Sequence, residues 1–370
     1  MPKRLVICCD GTWNTPDQAA EGRPCPTNVT KVALEVAEKS DDGWEQCVYY
    51  LRGVGTARGE RIRGGAFGVG LSGNVKEAYR TIVDNYDTGD ELFFFGFSRG
   101  AFTARSTAGF VRNCGVLERQ HASRVDEAYK LYRDRGAHPR GTESELFRRS
   151  YSCEPDITFI GVWDTVGALG IPVRGMGWVN KRWAFHDTKL SSKVQNAFHA
   201  LAIDEKRGPF RPTLWEPHDD DVHPPGQRLE QVWFSGVHCG VGGGYADTSL
   251  SDIALLWMVQ RAKECGLAFK PDSFPPLPPG EPPDDNRPRL APRYGGQLRE
   301  SRTRFYRLSL KHHRKIGEHH ARTESVASSA VLRHQQDSSY RPPRLGAYLD
   351  RRGPRTDVEP DFKDMGYRCS

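Results

Sequence analysis

The stretch ELFFFGFSRGA, residues 91–101, decides the fold. Residues 92–97 form an apolar run without polar alternation, which is typical of a strand buried on both faces of a parallel sheet. Ser98 follows directly, flanked by Gly96 and Gly100, and residues 99–113 have the pattern of a helix rich in small side chains. A strand, a Gly-x-Ser-x-Gly motif and a helix in this order predict a nucleophile elbow, a sharp turn that exposes a serine hydroxyl at the end of a sheet.

Strand and helix patterns alternate on both sides of this segment. Strands are predicted at residues 4–9, 47–51, 156–163 and 229–237, and helices at 27–39, 75–86, 125–135, 143–150, 191–203 and 251–265. The glycine-rich stretches 64–73 and 240–244 are predicted to be loops or tight turns. The alternation predicts an α/β fold, with a doubly wound, mostly parallel sheet of the α/β-hydrolase type.

The chain divides by composition into three parts. Residues 1–270 are predicted to form the catalytic domain, with a loop-rich cap within about residues 170–225. The cap residues Trp178, Trp183, Phe185 and Trp215 are expected either to line an acyl site or to fill the core of the cap. Residues 271–300 form a proline-rich linker or wrapped arm, and 301–370 form a basic C-terminal extension in which 304–310 resemble one more strand.

Composition limits the class of protein. Charged residues make up 27% of the 370 residues, the mean hydropathy is −0.65, and no apolar run reaches the roughly 20 residues of a membrane helix. The N-terminal apolar run is shorter than the roughly 7–15 residues of a signal-peptide core, which predicts a cytoplasmic protein, although export by a signal-independent secretion system remains compatible.

The nine cysteines include no Cys-x-x-Cys pair, which argues against zinc-finger and thioredoxin-type sites. A net charge of +6 spread along the chain predicts transient contact with anionic membranes and no nucleic-acid partner.

Candidate partners for Ser98 follow in the order that α/β-hydrolases use, which is serine, acid and then histidine. Asp164 follows the predicted strand 156–163, and His238 follows the predicted strand 229–237. Because the carboxyl ends of parallel strands meet at one edge of a sheet, we expect the three side chains to converge. Ser98 would then be the nucleophile, His238 its base and Asp164 the orienting acid. The alternatives are a turn-capping role for Asp164 and a turn-stabilising role for His238.

An acyl-transfer site also needs two backbone amides to hold the negative charge that develops on the substrate oxygen. One donor is expected from Arg99, the residue after the nucleophile. The other is expected from Gly11 or Thr12 in the loop after the first strand, with Asp10 holding that loop in shape. The alternative is an ordinary Asp-Gly turn at this position.

Three further residues are expected to support the site. Gly96 and Gly100 leave room for the chain to bend around Ser98, and His199 is expected in the wall of the site. Arg105 or Arg99 could meet a phosphate or carboxylate on the substrate, or form an ordinary salt bridge.

No metal or cofactor is predicted. The four histidines between residues 312 and 320 lie in a charged, polar stretch that is predicted to be solvated surface. A site at Asp10 joined by Asp247 or Asp252 lacks ligand spacing. The glycine-rich stretches lack the Gly-Lys-Ser/Thr sequence of a P-loop.

Six segments together resemble the α/β-hydrolase family catalogued as domain of unknown function 2235, which includes phospholipase effectors of bacterial type VI secretion. The segments are CDGTWN at 9–14, PTNV at 26–29, GFSRGA at 96–101, GVWDTV at 161–166, HALAIDE at 199–205, and VWFSGVH at 232–238 with GGGY at 242–245. They lie in order over about residues 4–265. The family often carries a late histidine in a His-x-Ser-Val segment, whereas residues 323–326 here are TESV, which favours His238 as the base.

The resemblance implies a serine hydrolase that acts on a small-molecule ester or a lipid, with Ser98, Asp164 and His238 as its catalytic residues. Lipid or phospholipid esters are the expected substrates. The alternatives are an acyltransferase, a thioesterase or an amidase with the same residues, or a non-catalytic binding module that keeps the fold.

Overall fold

The protein is described by a computed structural model over residues 2–11, 19–20, 23–53, 66–134, 136–167, 189–216, 226–276, 289–302, 311–320 and 322–358. The predictions for Thr12, for most of the cap including Trp178, Trp183 and Phe185, and for the strand at 304–310 lie outside these ranges.

Eight strands form one parallel sheet. They are β1 (Lys3–Cys9), β2 (Glu45–Leu51), β3 (Glu91–Phe97), β4 (Ile157–Trp163), β5 (Val194–Ala202), β6 (Arg228–Phe234), β7 (Glu324–Ala327) and β8 (Arg355–Thr356). Their spatial order is β8-β7-β6-β5-β4-β3-β1-β2. The chain passes from β1 out to β2 and returns to the other side of β1 as β3. In doubly wound sheets, sites lie beyond the carboxyl ends of the strands at such a reversal, here between β1 and β3.

Helices cover both faces of the sheet. They are α1 (Asn28–Glu35), α2 (Ala66–Asn85), α3 (Arg99–Cys114), α4 (Val125–Arg133), α5 (Thr142–Tyr151), α6 (His238–Gly242), α7 (Ser249–Glu264), α8 (Ser328–Gln336) and α9 (Pro343–Asp350). No helix in the described part of the chain is long and apolar enough to cross a bilayer.

Strand β3 shows why its sequence lacks polar alternation. Phe94 packs in the core on one face of the sheet, among side chains of α2 and α3. Phe93 and Phe95 pack in the core on the other face, which includes side chains of α1 and α7. Because both faces are covered, every position of the strand that follows Glu91 is apolar or glycine. The predicted doubly wound, mostly parallel α/β fold is confirmed.

Three local predictions are wrong. A helix is predicted at residues 191–203, but residues 194–202 form β5. The alanines of this segment favour a helix on propensity alone. Burial between β4 and β6 outweighs that helix propensity. The glycine-rich stretch 64–73 contains the start of α2 at Ala66, and residues 240–242 belong to the short helix α6. Tertiary packing outweighs the weak helix propensity of glycine at these places.

The C-terminal part of the chain completes this sheet, whereas the sequence separated residues 301–370 from the catalytic domain. Strands β7 and β8 extend the sheet beyond β6. Glu324, in the TESV stretch, is buried and accepts hydrogen bonds from the Trp233 indole (2.9 Å) and the Gly317 amide (2.9 Å). In the proline-rich region Leu290 is fully buried and its amide donates to the carbonyl of Pro275. These segments pack on the core through scattered apolar side chains, such as Ile316 and Leu345, and through polar contacts such as those of Glu324.

Candidate active site

Ser98 occupies a sharp turn between β3 and α3. Its φ of 58° and ψ of −118° lie outside the regions that non-glycine residues ordinarily adopt. A Cβ atom at Gly96 would lie 2.6 Å from the Cα of Ala101, and one at Gly100 would overlap the carbonyl oxygen of Cys9 on β1. Glycine is therefore required on both sides of the serine, which accounts for the Gly-x-Ser-x-Gly spacing.

His238, the first residue of α6, links Ser98 to Asp164. Its Nε2 lies 2.8 Å from Ser98 Oγ, and its Nδ1 lies 2.5 Å from Asp164 Oδ2. Its ring contacts the rings of Phe97 and Phe210, with centroid distances of 4.7 and 4.9 Å. Burial lowers the pKa of His238 even though the hydrogen bond and charge of Asp164 act in the opposite direction. This favours a neutral imidazole, the form that can accept a proton from a serine hydroxyl.

Asp164 follows β4 and is fully buried, with a φ of 41°. Its amide donates to the carbonyl of Ala200 (2.7 Å), and its Oδ1 accepts from the amide of Ala202 (3.0 Å). Arg314 contacts both carboxylate oxygens, with Nη2 2.9 Å from Oδ2. Burial opposes ionisation, but the charge of Arg314 and the hydrogen bond with His238 hold the pKa of Asp164 well below its usual range. The carboxylate is therefore ionised, and three residues predicted to converge are in one hydrogen-bonded chain.

The Asp10 carboxylate organises the start of the loop after β1. Its Oδ2 accepts hydrogen bonds from the hydroxyls of Thr27 (2.7 Å), Thr30 (3.0 Å) and Tyr50 (2.5 Å). Its Oδ1 accepts from the Gly11 amide at 2.6 Å. Asp10 is buried and thus ties the loop to α1 and β2.

This geometry corrects the assignment of Gly11 as an oxyanion donor. Its amide is already engaged in a hydrogen bond to the Asp10 carboxylate at 2.6 Å. Thr12, the other candidate in this loop, lies outside the described residues. Arg99 begins α3 directly after Ser98, which places its amide at the helix N-terminus, where backbone N–H groups point out of the helix.

His199 lies in β5, not in a helix as predicted, and supports the turn that follows Asp164. Its Nε2 accepts a hydrogen bond from the amide of Thr165 at 3.1 Å. Its ring packs against Trp215, and the centroids are 5.6 Å apart. The Arg105 guanidinium stacks over Trp215 at 4.3 Å and donates to the Leu214 carbonyl. Arg105 and Trp215 are thus buried structural partners in the wall of the site.

The candidate metal site at Asp10, Asp247 and Asp252 is not assembled. Asp252 pairs with the buried ammonium group of Lys31 at 2.6 Å. Asp247 accepts a hydrogen bond from the amide of Ser249 at the start of α7. Among the described residues, no three potential metal ligands cluster.

Residues 3–261 match the family described as T6SS phospholipase effector Tle1-like, catalytic domain. The chain belongs to this family. The predicted relation to phospholipase effectors of type VI secretion is therefore confirmed.

The chain spans only part of a curated relative and of two solved structures that it resembles. Over 240 residues the chain is 28% identical to the uncharacterized protein YEL023C of Saccharomyces cerevisiae. This match covers 58% of the chain and 33% of the yeast protein. An uncharacterized protein from Pseudomonas aeruginosa is similar in structure, with a TM-score of 0.43, 17% identity, and coverage of 73% of this chain and 47% of that one. The structure of the Tle1 effector bound to the VgrG spike is similar to this chain with a TM-score of 0.37 and 19% identity. The match covers 66% of this chain and 51% of that one. The chain thus spans about a third of the yeast relative and about half of each solved structure.

Arg314 is a site residue that sequence reasoning missed. It lies outside the 3–261 range of the Tle1-like match and inside the histidine-rich stretch predicted to be solvated surface. It is 2% exposed, whereas its neighbour His313 is exposed. A single buried arginine in a charged stretch has no periodic or motif signal, so only the fold reveals it.

The buried His199 makes the stability of this Tle1-like domain depend on pH. Burial and the charge of Arg105 lower the pKa of His199 to about 3. Between about pH 6.5 and 3 the unfolded chain binds a proton at this residue and the native state does not, so stability falls as the pH decreases. Replacing His199 with Gln removes this pH-dependent loss of stability, because Gln does not titrate. Gln can still accept a hydrogen bond from the amide of Thr165.

We expect the free energy of unfolding of wild type to fall by up to about 2 kcal/mol more than that of His199→Gln between pH 7 and pH 5. Urea unfolding at the two pH values measures both changes. Equal losses in the two proteins would contradict a neutral, buried His199.

Proposed function

We propose that the chain is a serine hydrolase that cleaves carboxylic esters of lipids, with Ser98 as nucleophile, His238 as base and Asp164 as orienting acid. The observation that carries the proposal is the buried chain of contacts from Ser98 Oγ to His238 Nε2 (2.8 Å) and from His238 Nδ1 to Asp164 Oδ2 (2.5 Å). The strained serine turn and the low-pKa acid give each residue the geometry and ionisation that acyl transfer requires.

The reaction proceeds in two acyl-transfer steps. His238 accepts the Ser98 proton as Oγ attacks the ester carbonyl, and the carbonyl oxygen becomes an oxyanion. The Arg99 amide is one proposed donor to that oxyanion, and the Thr12 amide is the proposed second. His238 then donates its proton to the departing alcohol, which leaves an acyl group on Ser98. A water molecule, deprotonated by His238, attacks the acyl group and releases the carboxylic acid.

Membership of a phospholipase effector family supports lipid esters as the substrate class. A lipid substrate requires contact with a membrane surface, and the net charge of +6 favours anionic lipids. The proposal requires only side chains, backbone amides and water.

The test is hydrolysis of p-nitrophenyl butyrate, p-nitrophenyl palmitate, and vesicles of phosphatidylglycerol or phosphatidylcholine, with products identified by mass spectrometry. We expect free fatty acid, a preference for long chains, and faster hydrolysis of the anionic vesicles. Labelling by a fluorophosphonate probe should map to Ser98.

The same assays separate the alternatives. A thioesterase would act on acyl-coenzyme A and release thiol, and an acyltransferase would form acylated product only when an acceptor alcohol is added. Absence of turnover and of fluorophosphonate labelling would overturn the hydrolase proposal in favour of a binding module.

A further inference from the structure

Arg314 binds both oxygens of the Asp164 carboxylate, including the oxygen that His238 contacts. Its guanidinium contacts both oxygens, Nη1 with Oδ1 and Nη2 with Oδ2 at 2.9 Å, while His238 Nδ1 lies 2.5 Å from Oδ2. Both partners are buried, since the side chains of Arg314 and Asp164 are 1% and 0% exposed. Such a bidentate contact fixes the plane of the carboxylate and also stabilises its negative charge.

The remaining contacts anchor Arg314 to two elements that shape the site. Nη1 donates to the carbonyl of Ala202 at the end of β5 (2.8 Å), and Nη2 donates to the carbonyl of Phe210 (2.7 Å). Phe210 packs edge-on against the ring of His238. One guanidinium thus holds Asp164, the strand end beside it and the aromatic residue against the imidazole.

We propose that Arg314 is a positioning residue, which fixes the Asp164 carboxylate and keeps His238 in its neutral, proton-accepting form. The proposal rests on the proposed function, in which His238 is the base and Asp164 its orienting acid. Arg314 acts through Asp164 and touches neither substrate nor reacting atoms. Arg314, which lies beyond the family match, therefore completes the candidate site.

The charges around His238 show why Arg314 matters. Asp164 faces its Nδ1, and Glu205 accepts a hydrogen bond from its amide at 3.3 Å. Glu205 is itself paired with Arg207 at 2.9 Å, and the charge of Arg207 opposes that of Glu205 at the imidazole. The adjacent thiol of Cys239 is neutral, because burial raises its pKa to about 12.

The pKa of His238 therefore depends on the Asp164–Arg314 pair. With Arg314 present, the pair has no net charge and stabilises an imidazolium less than an unpaired carboxylate would. Without Arg314, the full negative charge of Asp164 acts on His238, and the pKa of His238 rises. The base would then become protonated, and inactive, at a higher pH.

The experiment compares the pH dependence of kcat/KM in wild type, Arg314→Gln and Arg314→Lys. We expect Arg314→Gln to move the acid limb upward by about one pH unit or more and to lower kcat/KM at the optimum by about 10–100-fold. Arg314→Lys keeps the positive charge but loses the bidentate geometry. The acid limb of its pH profile should therefore return toward that of wild type, while kcat stays reduced.

Arg333→Gln is the matched control. Arg333 is another buried arginine of the C-terminal region, and it donates to the carbonyls of Tyr294 (2.9 Å) and Gly296 (2.8 Å) instead of to Asp164. Its loss should lower the melting temperature without moving the acid limb. An Arg314→Gln variant that only loses stability in the same way would overturn the proposal.

A carbon-13 NMR titration of His238 provides a readout without turnover. In wild type the imidazole should titrate below its ordinary pKa of about 6.5, and in Arg314→Gln it should titrate about one unit or more above the wild-type value. A wild-type His238 that titrates above 6.5 would overturn the role of Arg314 even if the variant fails to fold. A shifted titration without ester turnover would retain this role for Arg314 and reject the hydrolase proposal.

Discussion

Ester hydrolysis is expected to fall on the order of 10⁴-fold or more when Ser98 or His238 is replaced by alanine. Ser98→Ala removes the only proposed nucleophile, and His238→Ala removes the group that lies 2.8 Å from the serine oxygen and is proposed to accept its proton. Because the two residues act as one unit, the double variant should be no slower than either single variant. Steady-state rates on p-nitrophenyl palmitate and phosphatidylglycerol vesicles measure the effect.

A serine in α3, the helix that follows Ser98, offers a matched control for Ser98→Ala. Ser106 is also buried, but it lies in the interior of α3 and not at the turn. Ser106→Ala should keep activity within a few-fold of wild type and should retain fluorophosphonate labelling. Full activity in Ser98→Ala, from protein free of contaminating esterase, would overturn the assignment of the nucleophile.

The parts of the fold predicted from sequence are those with a local physical signature. Strand β3 is an unbroken apolar run because both its faces are covered, and Ser98 lies between glycines because no other residue fits there. The sequence of β5 predicts a helix because its alanines are compatible with both a helix and a strand. Its identity as a strand depends on β4 and β6, which lie on either side of it in space and are distant in sequence.

The site divides in the same way. Asp164 and His238 follow predicted strands, so the geometry of a parallel sheet was enough to bring them near Ser98 in the prediction. The partners of Asp10 and Asp164 had no such signal. Tyr50 and Arg314 reach these carboxylates from other segments, and their roles depend on side-chain burial that no local pattern encodes.

The second large effect is expected from adding one methyl group at Gly100. In the turn after Ser98, a Cβ at this position would lie 2.5 Å from the carbonyl oxygen of Asp10 and would overlap that of Cys9. These are backbone atoms at the end of β1, which is paired on both sides by β2 and β3, so they cannot move aside as a flexible side chain could. Helix α3 would have to withdraw from the sheet.

We therefore expect Gly100→Ala to lower the free energy of unfolding by about 3 kcal/mol or more and to abolish fluorophosphonate labelling of Ser98. Gly73→Ala is the control, since Gly73 is an exposed residue inside α2 with open space at its Cβ. That substitution should stabilise the protein by about 0.5–1 kcal/mol, because alanine favours a helix more than glycine does. Urea unfolding and labelling of both variants distinguish a steric requirement at the turn from a general intolerance of glycine replacement. A Gly100→Ala protein as stable and as reactive as wild type would show that α3 does not approach β1 this closely, and the strained serine turn would lose its physical basis.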